Sequence, residues 1–277
     1  MTELAELNTL WIGDAIHPIH HLCLLSAVKQ GHRVRLFCYA PVKGVPAEVE
    51  VVSAEEVLPQ SAIFKHARTG SSAPFADRFR INMINKGFGV WIDADLAFVR
   101  PLPNHPKNVF GWESESVVGN AVMGFDTGHP AFKTLLAASN DDFFIPPWFP
   151  ASRRLYHSLL HTLKMPRHVR QLPYGTTGPG LLTWCVKSHQ MTEEVMHKEV
   201  FYSLPYDRKF DIFRRSNQPG TTGDLPANAI AVHLWFQGLA GGIHVPHHAR
   251  KALPPVETGS FLHTLAKDLG VERLIQV

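Results

Sequence analysis

Apolar residues in this chain come either as short unbroken runs or as stretches in which they return every three or four positions. Residues 7–12 form a short, mostly apolar run (Leu7, Leu10, Trp11, Ile12) closed by Gly13-Asp14, which predicts a strand followed by a loop. Residues 18–29 place Ile19, Leu22, Leu25 and Val28 at helical spacing, and Gly31 stops the pattern. A second strand is expected over 34–39, ended by Pro41, and a short third one over 50–52. This β-α-β-β beginning indicates an α/β fold with a largely parallel sheet.

The pattern then pauses over the turn-rich residues 59–74 and resumes as a helix over 75–86, with Phe75, Phe79, Met83 and Ile84 at core spacing. Gly87 and Gly89 end that helix and residues 90–92 form the next strand. Further on, residues 108–112 and 120–125 read as strand and 130–138 as helix. Residues 143–150 hold three prolines and four aromatics, too rigid for a helix, and predict an ordered loop or lid. Helices are expected over 152–164 and 180–189, separated by a loop over 174–179. The polar, Gly- and Pro-rich residues 215–227 read as a mobile loop, and 229–235, ending in His233-Leu234-Trp235, as a late strand.

Composition narrows the class. A chain of 277 residues, 45% hydrophobic and 18% charged, can bury a sizeable core; a single domain over 1–277 is expected, with two small domains as the alternative. The net charge of +3 is mild. It gives no nucleic-acid tail, the short cluster Arg167, His168, Arg170 notwithstanding, and it is compatible with anionic substrates or peripheral contact with an acidic membrane. Three widely spaced cysteines, Cys23, Cys38 and Cys185, give neither a disulfide framework nor C-x-x-C metal spacing, and point to a reducing compartment. With no signal peptide and no long apolar run, the expectation is a soluble, cytoplasmic protein.

The candidate chemistry lies in Val90-Trp-Ile-Asp93-Ala-Asp95. Side chains at i and i+2 of a strand share a face, so at a strand end both carboxylates would aim at one point. Two carboxylates converging there need a cation or a proton between them, and Mg²⁺ or Mn²⁺ commonly binds through one or two acidic residues plus substrate phosphates. The competing reading is an Asp-rich strand-to-turn boundary. Upstream, Asp77 and Arg80 are three apart and share a helix face, either as a solvated surface pair or as contacts to a sugar hydroxyl and a phosphate.

Several segments recur in a set order: Trp11-Ile12-Gly13; Ala76-Asp77-x-x-Arg80; Gly89-Val-Trp-Ile-Asp93-Ala-Asp95; Arg100-Pro101; Gly119-Asn120-Ala121-Val122-Met123-Gly124; Gly178-Pro179-Gly180-Leu181-Leu182-Thr183; Val232-His233-Leu234-Trp235. Together they resemble the glycosyltransferases with a DxD sugar-binding region: family 32, its capsular and mannosyl/galactosyl transferase relatives, and the glucosylating clostridial toxins. The resemblance spans roughly residues 8–238. It implies a GT-A fold, a Rossmann-like nucleotide-diphospho-sugar transferase with a mixed, mostly parallel sheet flanked by helices. Residues 8–112 would form the nucleotide-sugar half and 113–277 the acceptor half with the C-terminal elements. It further implies a UDP- or GDP-sugar donor, a glycan or lipid-linked acceptor, Mn²⁺ or Mg²⁺ on the diphosphate, and hexose transfer with retention.

Carried onto this chain, the resemblance sets Trp11, Ile12 and Gly13 beside the base and ribose. Asp77 and Arg80 would meet sugar or phosphate groups, with Asn120 and Gly178 also at the donor. Asp93 would touch ribose, sugar or metal, and Asp95 would ligate the metal directly. His233 is a candidate third ligand because neutral imidazole accepts Mn²⁺, the competing reading being a buried strand-end histidine; Trp235 and Gln237 could lie over the diphosphate, with Trp235 equally readable as core. The departures are Gly87-Phe88-Gly89 where relatives have Gly-Gly, and Phe236-Gln237-Gly238 where many carry Ser-Trp or Asn. Glu113 and Asp126 are acceptor-side candidates, although solvated loop charge is the reading favoured for both. The clusters His17, His20, His21 and His244, His247, His248 lack Cys or acidic partners and read as loop or surface histidines. Alternatives are a sugar-nucleotide binding protein without turnover, a protein-glycosylating effector, and a metal-dependent hydrolase.

Overall fold

The computed structural model describes residues 3–104, 107–215, 225–239 and 252–275. The expected loop over 215–227 and the second histidine cluster, His244, His247 and His248, lie largely or wholly outside the described residues.

Strand β1 (Leu7–Trp11) leads into helix α1 (Pro18–Lys29). His17 caps that helix, its Nδ1 accepting from the Ile19 N–H at 3.2 Å, and Pro18 supplies a preset φ at the first turn. The same His-Pro pair, His129-Pro130, opens α3 (Pro130–Asn140). Strands β2 (Val34–Cys38) and β3 (Glu50–Ser53) follow, then α2 (Ala73–Asn85) and β4 (Val90–Ile92). Gly89 is obligatory before β4: its φ of +105° is left-handed, and a Cβ there would stand 2.7 Å from the Glu6 carbonyl.

The remaining elements are β5 (Leu96–Phe98), β6 (Val109–Trp112), β7 (Val118–Gly124), α4 (Ala151–Thr162), α5 (Leu181–Ser188), β8 (Ala231–His233), the short α6 (Phe236–Leu239) and α7 (Phe261–Asp268). The main sheet has order β3-β2-β1-β4-β7-β6. Its first four strands are parallel, and β7 and β6 join antiparallel. The fold is therefore α/β, a mixed and mostly parallel sheet flanked by helices, as expected.

That order fixes where a ligand can sit. The chain runs outward from β1 through β2 to β3, then returns to lay β4 on the other side of β1. The connections from β1 and β4 thus leave in opposite senses, opening a crevice at the carboxyl ends of these two strands. Trp11 ends β1, and Asp93 follows β4.

One apolar layer joins Phe37, Phe75, Phe79 and Trp91 to Phe132 and Leu182, so α2, α3 and α5 cover one sheet face. Another gathers Leu24, Ile92, Phe98, Val122 and Tyr202 on the other. A third seats α1 and α7 on β5 and β8 through Ile19, Ala97, Val232 and Leu262.

Three expectations differ in detail. Residues 174–179 are not all loop, because Thr176–Gly180 form one π-helical turn leading into α5. The late strand ends at His233, and Trp235 turns the chain with φ of +55°. The short β5 carries no alternation over its three residues to announce it; it exists because β8 pairs with it, Leu96 opposite His233.

Candidate active site and metal centre

A cleft of about 940 Å³ opens at the carboxyl ends of β1 and β4. Of the residues expected at the donor, Trp11, Ile12, Asp77, Arg80, Asp93, Asp95, Asn120, His233, Trp235 and Gln237 line it. Gly13 and Gly178 lie behind that lining. Gly13 packs on the Trp11 indole, and Gly178 packs where a Cβ would be 2.6 Å from Asp77 Oδ1 and 2.7 Å from Asn120 Nδ2.

The acidic pair converges, but by a route other than strand alternation. The chain turns at Asp93-Ala94-Asp95, the Leu96 N–H donating back to the Asp93 carbonyl at 3.2 Å. The turn-boundary reading is thereby met, and the same turn brings both carboxylates to one place. The Asp95 carbonyl accepts from the Leu234 N–H at 3.0 Å, and its Oδ2 accepts from the Phe236 N–H at 2.8 Å. Its Oδ1 faces His233 Nε2 at 3.3 Å. Ligand atoms of Asp93, Asp95 and His233 all lie within 4.8 Å of one another.

The expected surface pair of Asp77 and Arg80 is buried instead, at 6% and 5% exposure. Asp77 accepts from Asn120 Nδ2 and Thr177 Oγ1, each at 2.9 Å, and meets Arg80 Nη2 at 3.3 Å. Arg80 stacks over the Trp91 ring, donates to the Asn120 carbonyl and places Nη1 3.1 Å from Asp93 Oδ1. Trp91 Nε1 donates to that same oxygen at 2.8 Å. One guanidinium therefore links helix α2, strand β7 and the acidic turn.

Electrostatics separate the two carboxylates of the turn. Burial raises the pKa of Asp93, and repulsion from Asp95 adds to that against the pull of Arg80. Burial would raise Asp95 too, but the adjacent His233, His20 and the Phe236 N–H outweigh it and hold Asp95 well below the carboxylate range. Burial alone would lower His233, yet Asp95, Asp93 and Glu113 together raise it. Asp77 is raised by burial, with Arg80 opposing.

The donor set suits a hard divalent cation: two carboxylates and an imidazole, on a cleft open to a ligand. His233 is compatible with this chemically, since among the described residues its buried Nδ1 has no hydrogen-bond partner. The triad could hold a metal ion.

Several other readings change in place. Glu113 was expected as solvated loop charge but lines the cleft, its pKa raised by burial. Asp126 does follow that expectation, pairing with Lys107 at 3.4 Å and accepting from the Gly128 N–H. His20 is not a surface histidine: it is 6% exposed in α1, its ring 4.7 Å from Trp11 and 4.2 Å from Phe236, and it lines the cleft with His17. The signal for it was the His17-Pro18 pair at the start of the helix that follows β1, with His20 in the first turn beyond the cap. Thr177 and Tyr174 were also missed as contributors; no local pattern marks them, because their partners Asp77 and Gln237 lie far away in sequence.

No family model and no curated protein matches the sequence. Among solved structures, one titled "PaToxG Glycosyltransferase" is similar with a TM-score of 0.40 and 12% identity, over 69% of this chain and 72% of that one. A likeness at that level carries no argument about activity. Among the described residues, no helix is long and apolar enough to cross a membrane.

Proposed function

We propose that the chain is a GT-A glycosyltransferase that moves a hexose, with retention, from a UDP- or GDP-sugar to a glycan or lipid-linked acceptor. The observation that carries this reading is the convergence of Asp93, Asp95 and His233 at the crevice between β1 and β4, on residues that the DxD resemblance had singled out. In this reading Asp93, Asp95 and His233 hold Mn²⁺ or Mg²⁺. The cation would supply stabilisation of the negative charge that develops on the leaving diphosphate.

The protein's own groups do the rest. Trp11, whose buried indole N–H has no acceptor among the described residues, lies at the base and ribose end beside Ile12 and Gly13. Asp77 presents a carboxylate to donor hydroxyls, held in one rotamer by Asn120, Thr177 and Gly178. Arg80 adds positive charge at the donor and keeps Asp93 oriented. Trp235, fixed by its Nε1 donating to the Leu204 carbonyl at 2.8 Å, borders the diphosphate with Gln237. No separate general base is needed if the leaving phosphate takes the acceptor proton; Glu113 is the carboxylate on the acceptor side of the cleft.

The test is a donor screen: each UDP- and GDP-sugar with and without Mn²⁺, reading donor binding and nucleotide release. Metal-dependent binding of at least one donor is expected. Absence of it across the set would overturn the reading, and release equal with and without acceptor would indicate a hydrolase.

A further inference from the structure

A second cavity, of about 390 Å³, lies where the loop over 66–68, the first turn of α4 and the segment 170–173 meet. Arg68, Arg153 and Arg170 line it together with the buried His66 and Leu172. It shares no lining residue with the cleft. No carboxylate lines it either, and among the described residues none of the three arginines forms an ion pair.

The frame that presents these arginines is held by hydrogen bonds. The Ala67 N–H donates to the Arg170 carbonyl at 2.8 Å, which ties the first loop to the third segment. His66 Nδ1 accepts from the Thr69 N–H at 3.2 Å, so its Nε2 carries the proton and donates to the Leu172 carbonyl at 2.9 Å. The ring is thus bonded in its neutral form, and the positive charge on the cavity wall comes from the arginines. The His66 N–H closes the loop by donating to the Ser71 carbonyl at 2.8 Å. Arg153 is pinned separately, its guanidinium stacked over the Phe149 ring at 4.0 Å.

Three guanidinium side chains on one cavity repel one another, and the concave wall concentrates their field. Two neighbouring histidines register it. Burial lowers the pKa of His157, and Arg153 and Arg167 lower it further. Burial also lowers His168; Asp142 opposes this, while Arg78 and Arg170 add to it. The Asp142 carboxylate is itself engaged by Arg78 at 2.8 Å and does not line the cavity. An anion would offset the repulsion. Planar forks supplied by three separate segments suit the radiating oxygens of a tetrahedral phosphoryl group better than a flat carboxylate. The volume leaves room for a phosphate and a small group that carries it.

We infer that this cavity is a binding site for a phosphoryl group, separate from the cleft and independent of metal, in which Arg68, Arg153 and Arg170 hold the phosphate oxygens.

Inorganic pyrophosphate is the probe, titrated calorimetrically into the full chain with EDTA present so that no divalent cation recruits it to the acidic turn. Saturable binding is expected, weakening as salt rises, with acetate binding far more weakly. Arg68→Gln with Arg170→Gln should weaken pyrophosphate binding on the order of thirtyfold, and Arg153→Gln alone on the order of tenfold. The first variant keeps the Arg153–Phe149 stack and alters only exposed side chains, so its circular dichroism and thermal unfolding should match the parent chain. In amide spectra the Arg68 and Gln171 backbone resonances should move with the calorimetric midpoint, and the Trp11 indole resonance in the cleft should stay in place. Absence of saturable binding, affinity that either variant leaves unchanged, or acetate binding as tightly as pyrophosphate overturns the proposal. So does a titration that moves the Trp11 indole in place of Arg68 and Gln171. No donor sugar, metal or turnover enters the measurement, so its outcome is separate from that of the transferase reading.

Discussion

Asp95 Oδ1 faces His233 Nε2 at 3.3 Å while its other oxygen accepts from the Phe236 N–H at 2.8 Å. One carboxylate thus fixes both the third candidate ligand and the start of α6. Asp95→Asn keeps an oxygen for the Phe236 N–H but removes the charge. Metal affinity, read by Mn²⁺ titration in the presence of UDP, should fall on the order of a hundredfold or more, and the far-ultraviolet circular dichroism should be unchanged. Retention of parental Mn²⁺ affinity would remove Asp95 from the ligand set.

Arg80 compensates two carboxylates at once, the buried Asp77 and the half-buried Asp93. Arg80→Ala leaves both without their cation and should destabilise the protein by about 3–5 kcal/mol in urea unfolding. Adding Asp77→Asn to that variant removes one uncompensated charge, so the double variant should be less destabilised than the sum of the singles. Strict additivity would mean that the two side chains do not share an energy term.

A Cβ at Gly178 would enter the space already held by Asp77 and Asn120. Gly178→Ala should therefore cost about 1–3 kcal/mol by overpacking and displace Asp77. Donor binding should weaken with it, although residue 178 itself stays behind the lining. Crystals of the variant with Asp77 unmoved, or unchanged donor affinity, would contradict this.

His32 gives a pH dependence with a defined sign. Its Nδ1 lies 2.8 Å from the Ala5 carbonyl, and its Nε2 accepts from the Leu102 N–H at 3.0 Å, so the neutral ring is the bonded form. Burial pushes its pKa below the ordinary 6.5. Below pH 6.5 the unfolded chain therefore binds the extra proton first, and stability falls as pH drops toward the folded pKa. Above 6.5 both states are neutral there and the contribution is flat. Comparing parent and His32→Gln by denaturation across this range isolates the slope, which should be shallower in the variant.

What was legible follows distance along the chain. The spans of β1, α1 and β4 were readable because their periodicity and stop residues are local, and Asp77, Arg80, Asp93 and Asp95 stood out because their spacing is local too. Convergence of the acidic pair was expected from a strand pleat and arises from a turn, since three residues of β4 leave no room for alternation beyond Ile92. Burial of the Asp77–Arg80 pair was invisible because it depends on Asn120 and Thr177, whose approach is set by sheet order and by the π-helical turn. The strand β5 was missed for the same reason: its partner is β8.

The pairing of β5 with β8 also sets an order of assembly. Asp93 and Asp95 exist together as soon as their turn forms, but His233 reaches them only when β8, distant in sequence, closes a very long loop onto Leu96. Such a closure is entropically late in folding. A nascent or partly folded chain therefore lacks the third candidate donor, and in the proposed reading the ability to chelate would appear only after β8 has docked.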